Sequence, residues 1–255
     1  MIGSSILYKI YEKRLWQQIK NGSRPNHIGL ILDGNRRYAV AKGLNFNQGY
    51  ILATQKLDEI LKWCWQLEIN IITLFCFSIE NIKQRNCDEN RQLMGLILKK
   101  LRDFQTDPVF KEKQVKIKVI GRRKYLSDEL NQEIVRLEEM TKDHDRFQLN
   151  IALGYGGRAE IIDAIKKIVK KVEEHEIEVD KIDEQEFSKY LYTDGIPDPD
   201  LIIRTSGEER LSGFLLWQSA YSELYFTEIY FPDFRMIDFW RAIRVYQQRE
   251  RRFGK

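Results

Sequence analysis

Cysteine, histidine and proline are scarce in this chain. Its 255 residues include three cysteines, three histidines and five prolines. Cys64, Cys76 and Cys87 are an odd number without metal-ligand spacing, and no His/Cys cluster accompanies them. That argues against a disulfide framework and against structural zinc. The cysteines are expected to be reduced thiols of a cytoplasmic protein, with Cys64 and Cys76 in the core. No apolar stretch approaches the length of a membrane span, and the N-terminal segment lacks the sustained apolar core of a secretory signal. Repeats and low-complexity segments are missing, as is the full G-x-x-x-x-G-K-[ST] phosphate loop. A strong charge bias is missing too. Lysine and arginine number 42 against 38 acids, a net +4 at pH 7, so nucleic acid is not implied.

What is present is an alternation of strand and helix patterns. Continuous apolar runs at Ile28–Leu32 and Asn70–Phe77 read as buried strands, and Gln148–Leu153, Leu201–Arg204 and Glu223–Phe226 as further strands. Val115, Ile117 and Val119 alternate with Lys116 and Lys118, a strand wetted on one face. Helical periods fall at 4–20, 49–67, 89–105, Ser127 to about Lys142, 159–175 and 237–251, and Asp183-x-x-Glu186 resembles a capping box. The pattern predicts an α/β fold, a single domain with a mostly parallel central sheet flanked by helices. Residues 1–26 are expected to form an N-terminal helix and linker, and 27–255 the main domain. The length suffices to enclose a pocket or tunnel.

Four of the predicted strands end in polar clusters: Asp33–Arg37, Ser78–Asn81, Gly154–Arg158 and Arg204–Ser212. In a parallel sheet these ends share one edge, where ligands bind. Asp33, Gly34 and the guanidiniums of Arg36 and Arg37 suit a diphosphate bound with a divalent cation. Asp33-Gly34-Asn35 also fits a plain strand-to-helix turn with a capping aspartate. Gly154-x-Gly156-x-x-Ala159 matches a dinucleotide fingerprint, which leaves a nucleotide-binding oxidoreductase as a lesser alternative.

Long motifs then carry a resemblance. HIGLILDGNRRYA (27–39), FSIEN (77–81), NIALGYGGR (150–158), DLIIRTSGEERLSGFLLWQSAYSELYF (200–226) and RERRFG (249–254) are similar to the cis-prenyltransferases, the undecaprenyl and dehydrodolichyl diphosphate synthase family. The Arg-Arg-Tyr form at 36–38 looks archaeal or eukaryotic. No Asp-Asp pair occurs, which removes the aspartate-rich motif of trans-type prenyl synthases. The resemblance implies repeated condensation of isopentenyl diphosphate onto an allylic diphosphate (farnesyl or geranylgeranyl), giving a long Z-polyprenyl diphosphate. It implies Mg²⁺ at Asp33 with Glu223 as the second metal-associated carboxylate. By the same resemblance, Gly34, Asn35, Arg36, Arg37 and Tyr38 cradle the allylic diphosphate. Arg204, Arg210 and Ser212 grip isopentenyl diphosphate, joined by Arg252 and Gly254 of an RxG tail that reaches across a homodimer. Ser78 and Asn81 flank the carbons where a proton is lost. Cys76, Leu93, Ile97 and Phe147 are candidates to plug a hydrophobic tunnel. Because the product is a lipid, peripheral contact with a membrane is expected.

Three positions depart from the family pattern. Tyr50 replaces a histidine, Phe46 an arginine, and Gln84 stands where an arginine is usual, with one extra residue before Leu93. Arg36 and Arg85 are the cations placed to compensate. Without compensation, the chain would be a catalytically weak subunit supporting a partner prenyltransferase.

Overall fold

The computed structural model describes residues 2–249, with side chains from residue 8 onward. Its strands are β1 (His27–Ile31), β2 (Ile71–Ser78), β3 (Val115–Ile120), β4 (Phe147–Tyr155), β5 (Leu201–Arg204) and β6 (Glu223–Phe226). Every pairing is parallel, in the order β3-β4-β2-β1-β5-β6, so the sheet is wholly rather than mostly parallel. The chain moves to one side of β1 through β2, β3 and β4, then returns to its other side at β5. That reversal opens a crevice beyond the ends of β1 and β5.

The central strands are mostly apolar because both faces are covered. Ile28, Leu30, Ile72, Leu74, Leu149, Ile151, Leu201 and Ile203 point into the larger core. Ile31, Ala152, Tyr155 and Ile202 point into a smaller one with Phe214 and Leu215. The larger core is closed by α3 (Phe46–Gln66), α5 (Cys87–Thr106), α7 (Asp128–Thr141) and α10 (Met236–Gln248). α1 (Ile2–Ile19) joins it by burying Leu15 and Ile19, and Trp16 packs 5.1 Å from Trp240 of α10. Ile6 of that helix pattern lies outside the side chains described, as does Leu7. The remaining helices are α2 (Asn35–Ala41), α4 (Ile79–Gln84), α6 (Pro108–Glu112), α8 (Gly157–Glu173) and α9 (Glu184–Ser188).

Several helix starts follow side-chain caps. Ser127 and Asp183 accept from the backbone N–H three residues on, as their sequences predict. α3 begins at Phe46 rather than 49 because Asn45 and Gln48 form a full capping box. A buried polar chain spans three strands beneath the crevice. Nδ1–H of His27 donates to the Pro197 carbonyl at 2.7 Å, the Thr73 hydroxyl donates to Nε2 at 2.7 Å, and Asn150 Nδ2 donates to Thr73 Oγ1 at 3.0 Å. Burial lowers the His27 pKa to about 4, so this ring is neutral.

Candidate active site

The crevice holds a cavity of about 1260 Å³ at the carboxyl edge of the sheet. Asp33, Gly34, Asn35, Arg36, Arg37, Ser78, Asn81, Arg204, Arg210 and Ser212 all line it. The fold therefore gathers ten of the residues singled out from sequence.

Asp33 is the hub. Arg204 Nη2 donates to its Oδ2 at 2.8 Å, Gly34 N–H donates to its Oδ1 at 2.7 Å, and Arg37 stands 3.6 Å away. The backbone is pinned as well. Thr205 Oγ1 accepts from Asp33 N–H at 3.0 Å and donates to Asp33 O at 2.8 Å. Burial works to raise the Asp33 pKa. The Arg204 hydrogen bond, the Gly34 N–H and the charges of Arg204 and Arg37 outweigh it and hold the carboxyl below its ordinary value. Asp33 is thus not the helix cap. The cap position of α2 is Gly34, at φ +94, with no side-chain bond. A Cβ there would lie 2.7 Å from both Ser206 Cβ and Tyr230 Cδ1, so only glycine fits.

Arg204 closes β5 and is 4% exposed. Its Nη1 donates to Ser212 Oγ at 2.8 Å and to the Arg210 carbonyl. Arg37 donates to Ser206 Oγ at 2.7 Å and to Glu208 Oε1 at 3.0 Å, and it stacks 5.8 Å from the Tyr230 ring centroid. Glu208 also holds Arg210. The loop between these residues runs through left-handed backbone at Ser206, Gly207, Ser212 and Gly213. Such strain in non-glycine residues marks a loop held to shape by its surroundings.

On the β2 side, the ladder with β4 shifts register so that Cys76 has no strand partner. Bulges re-aim side chains near sites, and Cys76 lies where the polar cavity meets a second, apolar one. Burial pushes its thiol up to about 12, so it is neutral. Ser78 caps α4 by accepting from Asn81 N–H at 3.0 Å. Arg85 lies 5.9 Å from the ring centroids of both Tyr50 and Phe77 and 3.6 Å from Glu89, which Arg36 also approaches at 3.6 Å. Phe46 packs on Tyr50 with ring centroids 4.5 Å apart. Burial raises the Tyr50 pKa despite the Arg85 charge.

The apolar cavity, about 80 Å³, is lined by Tyr50 and Leu57 of α3, Leu93, Ile97 and Phe104 of α5, and Leu74 and Ile151 of the sheet. Cys76, Leu93 and Ile97 are therefore among the residues lining this cavity. Phe147 is not. It opens β4 at the other end of the sheet and packs against Trp65 at 6.3 Å. Tyr38 lines neither cavity and lies under Lys42. Glu223 opens β6, in register with Leu201 and Ile28, and bonds Arg249. Asp33 lies five residues beyond that level along β1 and its continuation, roughly 16 Å for an extended chain. Within one chain the two carboxylates do not share an ion. Arg252 and Gly254 lie outside the described residues. The 154–159 glycine run serves packing: Gly157 N–H is spent on Gly213 O at 2.8 Å, and a Cβ at Gly157 would lie 2.6 Å from that oxygen. The sequence carried no signal for Tyr230, and Glu208, although inside the 204–212 polar cluster, had nothing to pair it with Arg37; both placements arise from loops meeting across the crevice.

No group of three or more His, Cys, Asp or Glu among the described residues forms a metal cage. Asp33, with Glu80 also on the lining, stands amid the arginines of the crevice, a donor set that suits a cation held jointly with phosphate oxygens rather than by a protein cage. No described helix is long and apolar enough to cross a membrane.

Comparisons with known proteins agree with this geometry. The family described as "Putative undecaprenyl diphosphate synthase" matches residues 31–254. The chain is 47% identical over 247 residues to a tritrans,polycis-undecaprenyl-diphosphate synthase (geranylgeranyl-diphosphate specific) of Thermoplasma acidophilum, covering 97% of this chain and 95% of that one. It is 49% identical over 253 residues to an isoprenyl transferase of Thermus thermophilus, covering 98% and 96%. Among solved structures, lavandulyl diphosphate synthase from Lavandula x intermedia, in complex with dimethylallyl diphosphate, superposes with a TM-score of 0.87 at 34% identity, covering 91% of this chain and 98% of that one. A second structure, a probable undecaprenyl diphosphate synthase from Campylobacter jejuni, gives 0.75 at 32%, covering 91% and 100%. With its parallel sheet, its arginine-rich crevice and its full-length likeness to these enzymes, the chain belongs to the undecaprenyl diphosphate synthase family of cis-prenyltransferases.

Proposed function

We propose that the protein condenses isopentenyl diphosphate onto an allylic diphosphate and repeats the step to build a Z-polyprenyl diphosphate. The carrying observation is the Asp33 hub, with Arg37 and Arg204 bonded around it, opening at Cys76 and Tyr50 onto an apolar cavity. Geranylgeranyl diphosphate is the favoured donor, supported by the specificity named for the archaeal relatives.

In each step the allylic C1–O bond breaks and the diphosphate leaves with the electron pair. The terminal alkene carbon of isopentenyl diphosphate bonds to C1, and a proton leaves its C2 as the new double bond forms. Gly34, Asn35, Arg36 and Arg37 hold the allylic diphosphate, and Arg85 supplies a further cation beside Tyr50. Arg204, Arg210 and Ser212 hold isopentenyl diphosphate. Ser78 and Asn81 border the carbon that loses its proton. Cationic donors placed where charge develops lower the barrier most. Mg²⁺ held by Asp33 and the phosphates would neutralise charge on the leaving group. A homodimer and membrane contact belong to the same reading. The exposed row Ile162, Ile165 and Val169 along α8 offers an apolar face to a second copy.

The test is incorporation of labelled isopentenyl diphosphate by the purified protein with geranyl, farnesyl and geranylgeranyl diphosphates, with Mg²⁺ or with a chelator. Expected is Mg²⁺-dependent elongation, best with geranylgeranyl diphosphate. Inactivity with every donor, relieved only by a second prenyltransferase subunit, would replace this reading with the helper role.

A further inference from the structure

The apolar cavity is too small for a growing prenyl chain. It measures about 80 Å³, whereas a cavity of roughly 150 Å³ is what admits a single benzene ring. A wall must therefore yield as five-carbon units are added. Leu74 and Ile151 stand on neighbouring strands in direct register, a laddered wall that does not part. The opposite wall is α3 and α5. Both begin beside the polar crevice and run away from it, meeting through apolar side chains that can slide.

One charged side chain interrupts this wall. Lys100 of α5 lines the cavity, one turn before Phe104, with its side chain only 15% exposed. Its Nζ donates to Asp58 Oδ1 of α3 and lies 5.0 Å from the Phe104 ring centroid. Asp58 stands eight residues beyond Tyr50, about 12 Å further along the helix. Among the described residues no other ion pair joins α3 to α5.

We propose that Asp58 and Lys100 clasp α3 to α5 at the far end of the tunnel and so limit how long the prenyl chain can grow. The inference rests on the elongation reading above. A chain end that reaches the clasp either stops or separates the two helices. The lysine stem closes the apolar wall while its ammonium faces outward to the carboxylate, the arrangement in which a lysine can border an apolar space.

The test compares product lengths and hydrogen exchange for wild type, Asp58→Asn, Lys100→Met and the reversed pair Asp58→Lys/Lys100→Asp. Expected in both single variants are a main product longer by one or more five-carbon units and faster exchange in residues 50–58 and 97–104. The Michaelis constant for isopentenyl diphosphate should not change, and the reversed pair should restore wild-type lengths and exchange. Unchanged lengths in both single variants would overturn the clasp. So would lengthening by Lys100→Met alone, which would point to freed volume. Failure of the wild type to elongate any donor would remove the elongation reading instead. Exchange would then still decide whether the two helices are clasped, since unchanged rates in Asp58→Asn refute it without turnover.

Discussion

The two halves of the crevice are built differently. On the β5 side, Arg204 bonds Ser212 and Asp33, Thr205 bonds Asp33, and Ser206 and Glu208 bond Arg37, all at 2.7–3.0 Å. On the β2 side, Arg36 and Arg85 approach Glu89 only at 3.6 Å. Arg85 Nη1, Glu89 Oε1 and Asn35 Oδ1 are buried without a hydrogen-bond partner, against Arg204 Nε alone on the β5 side. One half is set in shape before any ligand arrives. The other keeps polar capacity in reserve, and buried polar groups in that state carry a desolvation cost that a ligand can relieve. In the proposed function the first half is the isopentenyl diphosphate site, refilled at every cycle. The second is the allylic site, which must accept a chain of changing length.

The largest expected effect removes the group the halves share. Asp33→Ala should lower turnover by about a hundredfold to a thousandfold, on the order of 3–4 kcal/mol, and impair both substrates. A steady-state comparison with both substrates checks this. Near-normal turnover would refute the hub. Circular dichroism should remain that of the wild type, because Arg204 keeps Ser212 and the Arg210 carbonyl.

A control should affect the halves equally. His27 lies beneath both, and its pKa of about 4 is below the ordinary 6.5. The unfolded chain therefore binds more protons between these values. Stability from the buried neutral ring is full above about pH 6.5 and is lost as pH falls towards 4, an upper bound of about 3 kcal/mol. Denaturant titrations of wild type and His27→Gln should converge by about that amount across the window. A constant difference would show that the ring does not titrate there. Neither Michaelis constant should change selectively.

Much of this arrangement is legible in the linear chain. All six strands were: the inner ones, covered on both faces, are written as apolar runs, β3 at the edge as an alternation with lysines, and the polar clusters closing four of the strands mark one edge. The short helices α4 and α6 were not, since five or six residues carry no period. Glu223 and Phe147 show a subtler limit. Each belongs to a correctly placed strand, but each opens its strand, and only the closing ends of parallel strands meet the crevice. Strand direction is in the sequence, so that distinction could have been drawn. The unpartnered atoms around Glu89 could not, because they depend on which side chains fall short of one another in space.

The preset half can be tested by its backbone. Gly207 has φ +76, and a Cβ there would lie 2.3 Å from Glu228 Oε2. Gly207→Ala should cost about 1–3 kcal/mol of local strain. It should raise the Michaelis constant for isopentenyl diphosphate severalfold and leave that for the allylic donor nearly unchanged. Equal increases in both would mean that the loop serves the whole crevice.

The smallest effect probes the half held in reserve. Phe46 and Tyr50 pack together at the positions where the family pattern read in the sequence has an arginine and a histidine, and Arg36 stands beside them with its side chain 62% exposed. An exposed pair such as Arg36–Glu89 contributes little to folding, so Arg36→Gly should change thermal stability only slightly. Phosphate binding is another matter, because a charge-assisted contact to a diphosphate oxygen has no substitute in this loop. The allylic Michaelis constant should rise about tenfold, equivalent to roughly 1.4 kcal/mol, while that for isopentenyl diphosphate holds. Arg85 should cushion the loss, since it remains stacked on Tyr50 and is then the partner left to Glu89. The double variant Arg36→Gly/Arg85→Met should accordingly exceed the sum of the single effects in free energy. Strict additivity would show that the two arginines bind the donor independently and that Glu89 does not couple them.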